Sequence, residues 1–161
     1  MTYTRRSVLL ASATSLGFAG VSGVAGAVAT IPTDPQLATG AATLQTGTVS
    51  GIGEPVLVDG DGMTLYMFEA DTQGSGESAC TGGCANAWPP LLTEGEASVM
   101  VASTVTASVA TIERADGTTQ VTAEGWPLYR FAGDEKPGDA NGQGINDSWW
   151  VLCRCGRPIR T

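Results

Sequence analysis

Gly62-Met63-Thr64-Leu65-Tyr66-Met67-Phe68-Glu69-Ala70-Asp71 recurs as Gly125-Trp126-Pro127-Leu128-Tyr129-Arg130-Phe131-Ala132-Gly133-Asp134, with five identities at one fixed offset of 63 residues. Agreement of that kind at a single offset marks an internal duplication. Each copy is followed about twenty residues later by tryptophan, Trp88 after the first and Trp149 or Trp150 after the second. Leu, Tyr and Phe favour strands, because a pleated, half-buried surface accommodates large side chains. Successive strand side chains point to opposite faces, so Tyr66 shares a face with Phe68, and Tyr129 with Phe131, while Leu65 and Met67 take the other. A small sheet needs large side chains for its interior, so the four aromatics are expected to form a common core before any ligand-stacking surface. Asp71 and Asp134 come just after the strands, where an aspartate accepts backbone N–H groups and fixes the next turn.

Outward from the repeats, the punctuation is that of hairpins. Asp61-Gly62 follows Pro55-Val56-Leu57-Val58, and Asp116-Gly117 separates Thr111-Ile112-Glu113-Arg114 from Thr119-Gln120-Val121-Thr122. Asp-Gly suits the left-handed backbone of a tight turn. A bend at Glu124-Gly125 then leads into Trp126 to Phe131, which predicts a three-strand meander over residues 109–131. The fold class predicted is mainly β: a small antiparallel domain over residues 54–161, built from two related repeats at about 54–93 and 109–152. A short helix over residues 81–88 is expected beside Cys80 and Cys84. A domain of this length buries roughly two thirds of the surface its unfolded chain exposes, enough for a real but modest core.

Ahead of the domain, Thr4-Arg5-Arg6-Ser7-Val8-Leu9-Leu10 places a twin arginine before an apolar stretch that runs to about Ala29. Gly17, Gly20, Gly23 and Gly26 interrupt that stretch, so it is too weakly hydrophobic for a membrane span and reads as a twin-arginine export signal. Ala25-Gly26-Ala27 supplies the small residues a cleavage site needs. Residues 1–27 are therefore assigned to the signal, with the mature chain starting near Val28. Residues 28–53 contain Pro32, Pro35, several Thr and Gly and one charge, Asp34, and read as a flexible linker. The first cysteine is Cys80, so no lipid anchor is expected.

Without the signal the chain carries 6 basic against 16 acidic residues, and three of the six, Arg154, Arg157 and Arg160, fall in the last eight positions. That balance argues against nucleic acid and against an anionic membrane surface as partners. The acids are scattered beside a single lysine, Lys136, a composition that suits high salt and a halophilic archaeal source. Single carboxylates are then poor guides to function. The chain has no histidine, which excludes Ser-His-Asp and Cys-His catalysis, histidine-ligated copper or haem, and c-type haem attachment. Ser75 in Gly74-Ser75-Gly76 is not a nucleophile elbow. No glycine-rich phosphate loop precedes a helix, and pairs among sixteen acids are too easily found to argue for glycoside hydrolysis.

In an oxidising compartment thiols pair, and Cys80 with Cys84 is read as a disulfide closing a helical turn. So small a loop contributes about 2 kcal/mol; its role is to pin Trp88 and Pro89-Pro90 against the sheet. Its three-residue spacer does not match the two-residue spacer of redox catalysts. Cys153 and Cys155, two apart on an expected strand, point to one side, with three fates open: free thiols, pairing with a neighbouring chain, or joining the first pair around zinc. One loop has the makings of a cation site. Asp134, Asp139, Asn141, Gln143 and Asp147 share a glycine-rich loop in which Asp139-x-Asn141-x-Gln143-Gly144 has the alternate oxygens and glycine bend of a calcium loop, although Gln143 stands where a carboxylate is preferred and Trp150 where the bidentate acid belongs. A hydrogen-bonded loop closing the second repeat competes with that reading. Asn146-Asp147-Ser148 is a glycosylation sequon that burial beside Trp149-Trp150 is expected to block.

These residues resemble the predicted lipoproteins with a Tyr-x-(aromatic)-x-x-Asp motif, also called the secreted repeat of unknown function. The resemblance spans roughly residues 55–152. It rests on Leu65 to Asp71 and Leu128 to Asp134, on Cys80-Thr81-Gly82-Gly83-Cys84 running into Ala87-Trp88-Pro89-Pro90-Leu91, and on Gly133-Asp134 through Pro137 to Gly144. It implies an extracytoplasmic module, often in tandem, without an established activity, and it marks Tyr66, Phe68, Asp71, Tyr129, Phe131 and Asp134 as motif residues. Two departures stand out: the family's lipid-attachment cysteine is missing, and Cys153-Arg154-Cys155-Gly156-Arg157 is not its usual ending. The function read from the sequence is an exported, non-enzymatic envelope or surface module, without cofactor, for an unknown envelope or extracellular partner. An electron-transfer or redox accessory and a calcium-dependent binding module are the alternatives.

Overall fold

The computed structural model describes residues 40–160. The export signal expected over residues 1–27 lies outside them, as does the linker up to residue 39. The described chain runs β1 (Ala42–Gly47), β2 (Val56–Asp59), β3 (Tyr66–Phe68), α1 (Gly83–Ala87), β4 (Leu92–Thr93), β5 (Val99–Val101), β6 (Val109–Glu113), β7 (Thr119–Ala123), β8 (Trp126–Pro127) and β9 (Trp149–Val151). The class is mainly β, as the repeats and turns imply. Three small sheets form, in the orders β2-β1-β5, β3-β9 and β4-β7-β6, with β8 added on β7. All pairings are antiparallel except β1 with β5.

The linker expectation fails over residues 42–47. There the chain forms β1, the middle strand of its sheet, paired with β2 at Leu44 and Asp59 and with β5 at Ala42 and Val99. Ala42 and Leu44 point inward and are buried, while Thr43 and Gln45 alternate with them. The lack of charge that resembles a linker is what a strand inside a sheet requires. Gly47 lets this strand lie close to its partner, since a Cβ there would sit 2.9 Å from Val58 Cγ1.

The turn chemistry is as the sequence implies, with the work divided between neighbours. In Asp116-Gly117 the glycine takes the left-handed backbone (φ 81), and the Asp116 carboxylate accepts the Thr118 N–H at 2.9 Å. Glu124 and Gly125 both have positive φ, 50 and 79. They make the two-residue turn that joins β7 to β8 with Ala123 opposite Trp126. This completes the expected three-strand meander β6-β7-β8. The helix is shorter than expected: Gly82 (φ 56) precedes it, so Cys80 lies before α1 and only Cys84 is on it.

Strand alternation sorts the interior into two clusters. Leu65, Met67 and Leu128 join Leu44, Leu57, Leu91, Val121 and Leu152 in an aliphatic cluster. Tyr66, Tyr129, Trp88 and Trp149 join Val56, Val58, Val151, Cys80 and Cys153 in an aromatic one, with Phe68 and Phe131 packed against it. The two clusters lie on opposite sides of the motif strands, as the two-residue period demands.

The repeats are interlocked. Tyr66 and Tyr129 pair with each other through two backbone hydrogen bonds, Tyr66 N–H to Tyr129 O at 2.8 Å and the reverse at 3.0 Å. Around this point each motif strand takes its neighbour from the other repeat. β3 pairs with β9, Tyr66 opposite Val151; Tyr129 bridges Pro90, and Leu91 N–H donates to Leu128 O at 2.9 Å. The tryptophan segment of each repeat thereby completes the sheet of the other.

Candidate functional site

The same exchange governs the motif side chains. The Tyr66 phenol donates to Asp134 Oδ2 and the Tyr129 phenol to Asp71 Oδ2, each at 2.7 Å. Each tyrosine therefore bonds the aspartate of the opposite repeat. The second oxygen of each carboxylate accepts a backbone N–H beyond the next turn: Asp71 Oδ1 accepts Ala79 N–H at 2.7 Å, and Asp134 Oδ1 accepts Asn141 N–H at 2.8 Å. Asp71 and Asp134 also close the same tight turn with their own N–H groups, on Phe68 O and Phe131 O, both at 3.1 Å. Each aspartate thus closes its own turn with its N–H, holds the segment that follows with one oxygen and clamps the other repeat with the second.

The aromatic side chains close over this pair of clamps. Trp88 and Trp149, one from each repeat, stack face to face with centroids 3.8 Å apart and planes 1° from parallel. Phe131 stacks on Trp88 and Phe68 on Trp149, at 4.3 and 4.2 Å. Tyr66 meets Trp88 edge-on, and Tyr129 meets Trp149 in the same way. The expectation of a shared aromatic core holds. Gly142 belongs to this packing: its N–H donates to the Tyr66 oxygen at 3.2 Å, and a Cβ there would lie 2.7 Å from the Trp88 ring.

Both phenols have no exposed surface. Burial, reinforced by the neighbouring carboxylates, pushes their ionisation well above the ordinary tyrosine value. Burial also raises the Asp71 carboxyl, against the lowering influence of the Ala79 N–H, the Tyr129 phenol and the Arg114 charge. The assembly suits phenols that donate and carboxylates that accept.

Arg114 carries no signal in the sequence beyond one charge at a hairpin, yet it is among the most buried polar side chains. Its guanidinium donates to Ser78 Oγ, Gln120 Oε1 and Cys80 O at 2.6–2.7 Å. Ser78 Oγ lies 2.7 Å from the Tyr129 oxygen. Since Tyr129 gives its proton to Asp71, Ser78 is the donor to Tyr129, and the order Arg114, Ser78, Tyr129, Asp71 runs in one direction. It ties the hairpin β6-β7 to the disulfide turn. Asp59, fully buried, is a second ion-pair centre that sequence reasoning misses: it accepts Asp61 and Met63 N–H groups and pairs with Arg130. Burial raises its carboxyl, and the Arg130 charge opposes that rise.

The expected calcium set does not converge. Asp134 is committed to Tyr66 and Asn141. Asp139 accepts the Glu135 and Lys136 N–H groups and pairs with Lys136 Nζ at 3.2 Å, an interaction that holds its carboxyl below the usual range. Asn141 donates to Gly133 O, Gln143 bridges Ile159 O and Val151 N–H, and Asp147 is exposed on a left-handed backbone. Among the described residues no group of three His, Cys, Asp or Glu is placed to hold a metal ion. The alternate oxygens serve amides, as a self-bonded loop requires. Asn146 of the sequon is exposed, contrary to the burial expected for it.

Both cysteine pairs are disulfides. Cys80–Cys84 is the one expected, and Trp88 N–H donates to Cys84 O at 2.8 Å, which places the ring over Trp149. Cys153 bonds Cys155, its neighbour but one, which none of the three anticipated fates describes. The reason is that β9 ends at Val151 and the chain turns: Gly156 N–H reaches Cys153 O at 2.8 Å with φ 74 at Gly156, and the sulfurs meet inside the turn. A four-thiolate zinc site is thereby ruled out for this state of the chain.

A pair of interlocked β repeats, clamped reciprocally by tyrosine and aspartate and stapled by short disulfides, defines one β module. The family model described as a secreted repeat of unknown function matches residues 48–92 and 110–153, together more than half of the chain. The chain belongs to that family. No curated protein and no solved structure matches it significantly.

Proposed function

We propose that the protein is a non-enzymatic module of the cell envelope or cell surface, exported by the twin-arginine route and held there by a partner without a lipid anchor. The observation that carries this reading is the closure of the motif. The groups with acid–base capacity, Tyr66, Tyr129, Asp71 and Asp134, satisfy one another in the interior, so the repeated motif builds a scaffold and recognition falls to the outer surface. The family's description as a secreted repeat supports the location. The test is fractionation of the native host combined with sedimentation of purified mature protein on washed envelopes. The reading predicts release on cleavage near Val28, retention in the cytoplasm when Arg5 and Arg6 become Lys, and saturable envelope binding that needs no detergent to reverse. Unsaturable or absent binding contradicts the partner, and export that survives the double substitution contradicts the route.

A second reading, an electron-transfer accessory, is favoured by the parallel stack of Trp88 on Trp149 between two carboxylate-bonded phenols. One-electron oxidation of the mature protein would then leave a tyrosyl or tryptophanyl radical at these residues. A radical signal unaltered in Trp149→Phe removes that reading.

A further inference from the structure

We propose that Cys153–Cys155 is a site of thiol–disulfide exchange, which takes an external dithiol on an exported polypeptide as its substrate. The inference goes beyond a scaffold role and rests on the surroundings of these two sulfurs. Cys153 is buried and Cys155 half-buried, so Cys155 offers the accessible sulfur. Two backbone N–H groups, of Cys155 and Arg157, point at Cys153 Sγ at 3.3 and 3.4 Å, and Arg157 Nε points at Cys155 Sγ at 3.4 Å. Donors and a guanidinium charge so placed stabilise thiolate on either sulfur.

The charges around the turn agree. Arg114, Arg130, Lys136 and Arg160 are each paired with a carboxylate. Among the described residues Arg154 and Arg157 alone of the basic side chains have no such partner, and both are exposed beside this disulfide. Glu124 is the acidic side chain packed against the turn at Gly156, with Oε1 accepting the Ser108 N–H; beside it the two unpaired arginine charges favour the approach of a thiolate. The backbone also holds the turn without the sulfur bond. Arg154 O accepts Thr106 and Ala107 N–H groups, Arg154 N–H donates to Pro55 O, and Cys153 N–H donates to Arg157 O. Opening the bond therefore leaves the fold in place. Cys80–Cys84 has the same burial, Cys80 buried and Cys84 half-buried, and differs in its donors: among the described residues none reaches either of its sulfurs.

In the exchange, one thiolate of the partner attacks Cys155 Sγ. The bond to Cys153 breaks and its electron pair leaves on Cys153 Sγ, facing the two N–H groups. The partner's second thiolate attacks its own sulfur in the mixed disulfide, which forms the partner disulfide and releases Cys155 as thiolate beside Arg157. Two electrons pass from the partner to the chain. The two protons of the partner's thiols go to solvent and from there to the chain sulfurs as these protonate.

The test uses the folded mature chain with dithiothreitol as probe, quenched by alkylation and read by peptide mass. The Cys153–Cys155 pair is expected to open at least about tenfold faster than Cys80–Cys84, at a rate that follows the thiolate fraction of the probe. After reduction, Arg157→Gln is expected to raise the pH midpoint for alkylation of Cys155; Arg157 is exposed, so this variant leaves the fold intact. A dithiol peptide should lose two thiols per chain, and none with Cys153→Ser/Cys155→Ser. Equal opening rates, earlier opening of Cys80–Cys84, or an unmoved midpoint in Arg157→Gln would overturn the proposal.

Discussion

The two copies of the motif share their geometry and differ in what lies behind it. In both, a tyrosine reaches across to the other repeat's aspartate at 2.7 Å, and that aspartate closes its own turn with its N–H and holds the following segment with its second oxygen. Behind Tyr129 stand Ser78 and the buried Arg114; behind Tyr66 stand the Gly142 amide and the Trp88 and Phe131 rings. The segments after the motifs diverge too, one into a disulfide and a helical turn, the other into a self-bonded glycine loop. What is repeated is the cross-repeat clamp, and the surroundings are free to vary once it is made. A duplicated sequence here does not mean two independent units, because each repeat lends its tryptophan segment to the other.

The severest way to break the comparison is to separate its halves. Residues 40–106 and 107–160 made as two chains are each expected to remain unfolded alone, since β3 loses β9 and Tyr129 loses Pro90. Mixed, they should recover the intact circular dichroism spectrum. A cooperative melt from either half by itself would show that the exchange is not required. Next in size is the stack that joins the repeats. Trp149→Ala removes a buried ring that faces Trp88, Phe68 and Tyr129, with an expected cost of about 3–5 kcal/mol in denaturant unfolding. A loss below about 1 kcal/mol would mean that the stack contributes little.

Alkaline titration sharpens the comparison without a mutation. Beyond Tyr3, Tyr66 and Tyr129 are the only tyrosines of the chain, so the mature protein reports on these two alone. Folding raises both phenol pKa values, chiefly through burial. Their contribution is therefore complete below the ordinary value near 10 and is lost as pH climbs from there through the raised folded values. The phenolate absorbance is expected to show no step near pH 10 and to appear together with loss of circular dichroism. An early step worth one phenolate in a folded protein would mean that one clamp is open.

Much of this was legible in the sequence. The offset of the repeats, the two faces of the motif strands and the turns at Asp116-Gly117 and Glu124-Gly125 are local patterns, and the period of a strand or the handedness of a glycine fixes them. Asp71 and Asp134 were readable as caps for the same reason. Their second bonds were not, because Tyr66 and Asp134 lie 68 positions apart and Tyr129 and Asp71 58, and no local pattern reaches so far. β1 escaped because small, uncharged residues describe an interior strand as well as a linker. Arg114 looked like any surface charge at a hairpin. The Cys153–Cys155 bond lies in a turn closed by Gly156 N–H on Cys153 O, where the sequence pattern suggested a continuing strand.

The most direct test of the interlocked clamp is a pair of double-mutant cycles on the mature chain. Tyr66→Phe combined with Asp134→Ala is expected to show a coupling energy of about 1–2 kcal/mol, and Tyr66→Phe combined with Asp71→Ala is expected to be additive within about 0.5 kcal/mol. Coupling to Asp71 with additivity to Asp134 would contradict the account, because it would place each clamp inside its own repeat.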